Sequence, residues 1–119
     1  MSIEDVRLFC LNKKGVTESF PFDDTTLVFK VVGKMFALVN LSNNQSINLK
    51  CDPDKALVLR EHYPAVLPGY HMNKKLWNTI VLDNSIPDSL IREWIDDSYD
   101  LIVEKMTKKL RNELNNIIL

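Results

Sequence analysis

The sequence predicts an α+β fold, a two-layer sandwich in which one antiparallel sheet carries its helices packed on one face. Three observations predict it. Short runs of period-two apolarity follow one another between Thr26 and Lys50, separated by turn residues, which is the pattern of hairpin-connected strands. Apolar stripes of helical spacing lie near both ends of the chain, each behind a capping signal. Strands and helices do not alternate one for one, so the order α-β-β-β-α-β-α argues against a doubly wound parallel sheet.

Ser2 can cap a first helix from about Ile3 to Lys14, with Glu4 and Asp5 in its positive first turn and Ile3, Val6, Phe9 and Cys10 on one face. Gly15 ends it. Phe20-Pro21-Phe22-Asp23-Asp24 reads as a turn in which Pro21 holds Phe20 extended, its aromatics expected to anchor it to the core. A strand from Thr26 to Val32 sets Leu27, Phe29 and Val31 on one side, and Gly33-Lys34 supplies a tight hairpin link. The return strand places Met35, Ala37, Val39 and Leu41 opposite to Phe36, Leu38 and Asn40. After the polar turn Ser42 to Gln45, a third strand, Ser46 to Lys50, points Ile47 and Leu49 inward.

Asp52-Pro53 starts a second helix running to Glu61 or Tyr63, since the Asp carboxylate accepts free amides and Pro lacks only a donor the first turn does not use. Pro64 and Pro68 bracket a rigid connector. Leu76 to Leu82 is a fourth strand with Trp77, Thr79 and Val81 on one face, and both of its faces are expected to be covered. The last helix begins near Ser85 to Pro87 and carries Leu90, Ile91, Trp94, Ile95, Leu101, Ile102, Met106 and Leu110. No later Pro or Gly forces a break before the C-terminus, although Thr107 with Lys108 marks a kink or a new start.

A chain of 119 residues is expected to form one domain, spanning residues 1–119, with a core that needs no staples. No window approaches the roughly 18 consecutive apolar residues that cross a bilayer, and no basic start precedes an apolar run. A cytoplasmic address away from the membrane is the expectation. Cys10 and Cys51 stand in no ligand-like spacing and read as small buried side chains, so neither a disulfide nor a metal pair is expected. A net charge of −1 argues weakly against non-specific nucleic-acid binding. Charge is nevertheless segregated. Lys30, Lys34, Lys50, Lys55, Arg60, Lys74 and Lys75 face only Asp52, Asp54 and Glu61 in the middle of the chain, whereas Asp83 to Asp100 is acidic apart from Arg92.

The densest stretch runs from Pro68 to Ile80, where Tyr70, His71, Asn73, Lys74, Lys75, Trp77 and Asn78 crowd donors, acceptors, cations and aromatic faces between a turn and a strand. Further blocks are Phe20-Pro21-Phe22, Val31 to Ala37, Leu49-Lys50-Cys51-Asp52-Pro53 and Asp97-Ser98-Tyr99. With these blocks in this order, the whole chain resembles the MmcQ/YjbR family, whose small domains have a CyaY-like sandwich and are commonly named as DNA-binding. The resemblance implies a double-wing-like arrangement in which sheet and loop groups face nucleic acid.

In that reading Lys34, Lys50, Lys74 and Lys75 neutralise phosphates, Tyr70, His71 or Trp77 stack on bases, and Asn73 and Asn78 bond base edges. The plainer alternative puts Trp77 in the core, Tyr70 over the connector and the lysines in solvent. His62 and His71 are the ordinary bases near neutral pH, but neither belongs to a local Ser-His-Asp or Cys-His motif, so a non-enzymatic protein is expected. Gly15, Gly33 and Gly69 are isolated and form no phosphate-cradling loop, the first helix lacks an acidic ridge for iron, and no cofactor or metal is called for. The Asp96 to Asp100 cluster reads as the polar side of the last helix, with Tyr99 packing edge-on and its hydroxyl reaching a loop. DNA is thus the expected partner of a protein expected to be a monomer ahead of an oligomer. The alternative is a protein-interaction or small-ligand module using the same aromatic and polar corner.

Overall fold

In the computed structural model, which describes residues 1–117, the chain opens with α1 (Ile3–Leu11). Ser2 and Asp5 form a reciprocal capping box, each side chain accepting the other's amide, so two of the free N-terminal donors are paired. The helix stops at Leu11, short of the expected Lys14. Residues 12–15 are needed to turn the chain, with Gly15 at φ 75, into a strand that sequence patterning missed, β1 (Val16–Ser19).

The next strands are β2 (Thr26–Val31), β3 (Lys34–Asn40) and β4 (Ser46–Lys50). Asp52 then caps α2 (Pro53–His62), accepting the amides of Asp54 and Lys55 as the Asp-Pro start predicts. A second unexpected strand, β5 (Val66–Pro68), lies within the expected connector, and β6 (Trp77–Val81) follows. The last helical region is broken. α3 (Asp88–Glu104) closes at Lys105, and Thr107 caps α4 (Lys108–Asn115) by accepting the Leu110 amide. The restart falls at the anticipated Thr107, while continuation to the C-terminus reaches residues 118–119, which lie outside those described.

The sheet is antiparallel throughout, in the order β1-β2-β3-β4-β6-β5, so the predicted two-layer α+β class holds and the two short extra strands sit at its edges. Val6 and Cys10 of α1, Ile91, Trp94 and Ile95 of α3 and Leu114 of α4 share one core with Phe29, Val31, Val39, Ile47, Leu49 and Ile80. The helices thus cover one face. At about 25 cal/mol per Å2 of apolar surface removed from water, this packing of layer on layer is the main stabilising contribution.

Two local departures shape the other face. The hairpin link is Val32-Gly33, at φ 46 and 82, instead of Gly33-Lys34; Lys34 already pairs with Val31. Beyond it the ladder slips, Phe29 pairing with Ala37 and Lys30 with Met35, so that Phe36 is the extra residue of a β-bulge. The bulge sends Phe36 into the helix-side core beside Ala37 and moves Met35 across to Val28 and Leu38, reversing the places that strict alternation assigned to both. Buried Ser98 of α3 repairs the backbone there: its hydroxyl donates to Phe36 O at 2.6 Å and accepts from Lys50 N at 2.9 Å. Tyr99 sets its ring edge against Phe36 at 5.4 Å and donates its hydroxyl to Lys14 O, while Asp96 and Asp97 pair with Lys13 and Lys55. The Asp97-Ser98-Tyr99 block therefore holds the two layers together.

Candidate binding face on the open side of the sheet

Residues paired across antiparallel strands share a face. The pairs Val28 with Leu38, Leu38 with Asn48, Asn48 with Thr79 and Lys50 with Trp77 define the side away from the helices. No helix covers it. Instead Val28, Leu38 and Trp77 form a small second core with Met35, Met72 and Leu76, the last two supplied by the loop between β5 and β6. Beside this core lies a groove of about 630 Å3. Its floor is built from Thr26, Leu38, Asn40, Ser46 and Asn48, one wall from Phe22 and Asp23, and the other from Tyr70, His71 and Met72.

The second wall is fixed by a ring of hydrogen bonds. Tyr70 N donates to Thr79 Oγ1 at 2.9 Å, that hydroxyl donates to Asn48 Oδ1 at 2.5 Å, and Asn48 Nδ2 donates to Tyr70 O at 3.2 Å. Both polar backbone groups of Tyr70 are thereby tied to outward side chains of β4 and β6. A turn closed by Met72 N donating to Gly69 O then carries His71 at φ 58, the second central position of a type II turn, where glycine is usual. The Tyr70 and His71 rings lie 4.0 Å apart by centroid, and both are exposed.

Gly69 allows this loop to approach the sheet. A Cβ there would lie 2.7 Å from Trp77 Cβ and 2.8 Å from Trp77 O, so no larger residue fits while Gly69 N donates to that same oxygen at 2.9 Å. From the helix side Arg60 of α2 reaches Asn78 Oδ1 at 2.7 Å, and also Lys74 O and Trp77 O, holding the loop's far end.

The residues singled out from sequence separate into groups. Tyr70 and His71 line the groove. Trp77 is 8% exposed and lies beneath the loop, where it packs but offers no face for stacking. Asn73, Lys74 and Lys75 are exposed on the loop; Asn73 Oδ1 accepts Lys75 N, and Lys74 Nζ donates to Gly69 O at 3.3 Å. Lys50 ends β4 opposite Trp77, and partial burial, with the nearby cation of Lys105, holds its ammonium below the ordinary lysine range. Lys34 stands apart at the β2–β3 hairpin, paired with Val31, whose side chain faces the helices. Asn78 points the same way and is buried between Arg60 and Ala56 O.

Sequence reading missed Asn40, Asn48, Thr79, Lys30 and Phe22. The signal for four of them was parity, since polar residues recur at outward positions of otherwise apolar strands. Phe22 was expected to anchor its turn but is 64% exposed, because Asp23 performs that task by accepting the amides and hydroxyls of Thr25 and Thr26. Those bonds, the Thr25 amide first, hold the Asp23 carboxyl below its usual range. Burial raises the Cys10 thiol to about 12 and the Cys51 thiol as well, so neither is a ready nucleophile.

Fold and face together define a small two-layer α+β protein whose bare sheet side is walled into a groove by two loops. The YjbR family profile matches residues 11–101, and the chain belongs to that family. YjbR of Escherichia coli strain K12 is 34% identical over 115 residues, covering 96% of this chain and 98% of its own. YbdF of Escherichia coli O157:H7 is 38% identical over 107 residues, or 89% of this chain and 88% of its own. Among solved structures, Deinococcus radiodurans DR2400, of domain family DUF419, superposes with a TM-score of 0.89 at 40% identity, covering 96% of this chain and 88% of that one. A Pseudomonas syringae protein superposes with a TM-score of 0.75 at 25% identity over 85% of this chain and 98% of its own.

Proposed function

We propose that the protein binds DNA, without catalysing a reaction on it, through the open face of its sheet. The observation that carries this reading is a division of charge. Ion pairs among the described residues lie on the helix side, where Arg7 meets Glu18 and Glu4, Lys13 meets Asp96, Lys55 meets Asp97 and the N-terminus meets Asp88. Lys30, Lys50, Lys74 and Lys75 have no carboxylate partner among those residues, and the outward strand positions carry no acid. Unpaired cations beside strand positions that carry no acid are the footprint that phosphate neutralisation requires, the Asp23 carboxylate on one groove wall being held by Thr25 and Thr26. Phe22, Tyr70 and His71 would supply stacking surface. The hairpin tip at Lys34 and the Gly69 to Leu76 loop would serve as the two wings. A binding role without chemistry is supported by the protonated buried thiols and by the exposure of both imidazoles, neither hydrogen-bonded to a nucleophile among the described residues.

Fluorescence anisotropy of labelled DNA across a salt series tests the reading. Affinity is expected to fall as salt rises, and Lys30→Ala or Lys50→Ala to shallow the log–log slope by about 0.7–0.9 for each phosphate no longer neutralised. Lys55→Ala, which removes a lysine engaged with Asp97, is expected to leave the slope unchanged. Absence of binding at low salt, or equal effects from all three variants, would overturn the proposal. A second reading, an uncharged small ligand in the groove, is favoured by one observation: among the described residues no Lys or Arg lines the groove itself.

A further inference from the structure

We infer that Met35 and Met72 form a reversible oxidation site that controls the second wall of the groove, each thioether taking one oxygen atom from a peroxide. The inference stands apart from the nucleic-acid reading and does not need it. Of the four methionines in the chain, Met106 is buried in the helix-side core and Met1 packs against that core. Met35 and Met72 differ from both: they are half-buried, line the groove and pack on the small second core of Val28, Leu38 and Trp77. A departure from regular backbone delivers each of them there. The bulge at Phe36 carries Met35 across to the open face, and the turn with His71 at φ 58 carries Met72 back onto the sheet.

The two cysteines are poor competitors for the oxidant. Cys10 and Cys51 are buried and their thiols are raised, Cys10 to about 12, so neither supplies a thiolate at neutral pH. A thioether needs no deprotonation, and access decides whether it reacts. Its sulfur lone pair attacks one peroxide oxygen; the S–O bond forms as the O–O bond breaks, and the departing oxygen takes a proton and leaves as water or an alcohol. Sulfur loses the two electrons that the peroxide gains. The product is polar, and a sulfoxide oxygen kept in an apolar core without a donor costs free energy, so a half-buried side chain turns outward instead. Met35 stands on a strand and can turn without moving the backbone. Met72 cannot, because it is the packed side chain in the middle of its loop: Tyr70, His71 and Asn73 beside it are exposed, and hydrogen bonds hold only the two ends, at Gly69 and Tyr70 and at Lys74 to Trp77. Oxidation therefore lifts the loop's middle from Trp77 and removes one groove wall, leaving the helix-side core intact.

The test treats the 15N-labelled protein with hydrogen peroxide and follows it by peptide mass spectrometry and by NMR. Met35 and Met72 are expected to gain one oxygen each before Met106 does. As they do, the Trp77 indole N–H and the amides of Tyr70, His71 and Met72 should shift, while the Trp94 indole in the helix-side core stays in place. Methionine sulfoxide reductase with a thiol should restore the starting spectrum. Met72→Leu, which conserves volume, should remove the loop shifts on peroxide treatment. Met72→Gln, a polar side chain of similar length, should reproduce them without peroxide. Oxidation of Met106 in step with Met72, oxidation of Met72 with Trp77 and the loop amides unmoved, or a Met72→Gln spectrum that matches the untreated protein at those positions would each overturn the inference. The nucleic-acid reading stands in all three cases, since none of these measurements uses an oligonucleotide.

Discussion

His71 occupies a backbone conformation, φ 58, that residues other than glycine seldom adopt, and it does so on the wall of the groove with its ring exposed. Such strain persists only where neighbours enforce it, and here the enforcing groups are Thr79 and Asn48, which hold the preceding residue. Glycine would fit the turn better. His71→Gly is expected to leave urea stability unchanged or higher by up to about 1 kcal/mol, relief of the turn being partly offset by a more flexible unfolded chain. The same change should weaken oligonucleotide binding. A clear loss of stability with unaltered affinity would instead make His71 a packing residue. The sequence displayed His71 among polar neighbours, but its conformation depends on Asn48 and Thr79, which come from distant strands and leave no local mark.

At the scale of elements, the loop between β5 and β6 is best understood as a wall held from three directions. Gly69 lets it touch Trp77, Arg60 grips its end from the helix side, and the Asn48–Thr79 ring holds Tyr70 from the sheet. Thr79→Val keeps shape and removes only the hydroxyl link in that ring. Amide hydrogen exchange at Tyr70 should then quicken by about five- to tenfold, the loss of a hydrogen bond worth roughly 1–1.4 kcal/mol, while β3 core amides stay protected. Unchanged exchange at Tyr70 would show that Gly69 and Arg60 suffice. The main strands and helices were legible because their apolar periods are long and capped, as at Asp52-Pro53 and Ser2. β1 and β5 were not, since each is short, lies at an edge and pairs on one side only, so neither needs a regular apolar pattern. The Phe36 bulge was hidden for a related reason: it exchanges the faces of Met35 and Phe36 without altering an apolar run.

Across the whole molecule, charge and cover are distributed together. The helix layer buries the principal core and holds the ion pairs, while the sheet's other side is covered only in part, by one loop, and carries unpaired lysines. The basic middle of the sequence foreshadowed this, but linear charge could not say which lysines meet. Lys34 diverges to the hairpin and Lys30 belongs to the open face, because register and not proximity in sequence decides the side. Trp77, read as a possible stacking surface, is instead the pillar on which the loop rests. The most direct test of the central claim is an 15N-edited NMR titration with single-stranded oligo(dT). The amides of Asn40, Asn48, Tyr70, His71 and Met72 should shift progressively and saturably, with those of α1 and α3 unmoved. Shifts confined to the helix layer, or none at any oligonucleotide concentration, would contradict binding at the open face of the sheet.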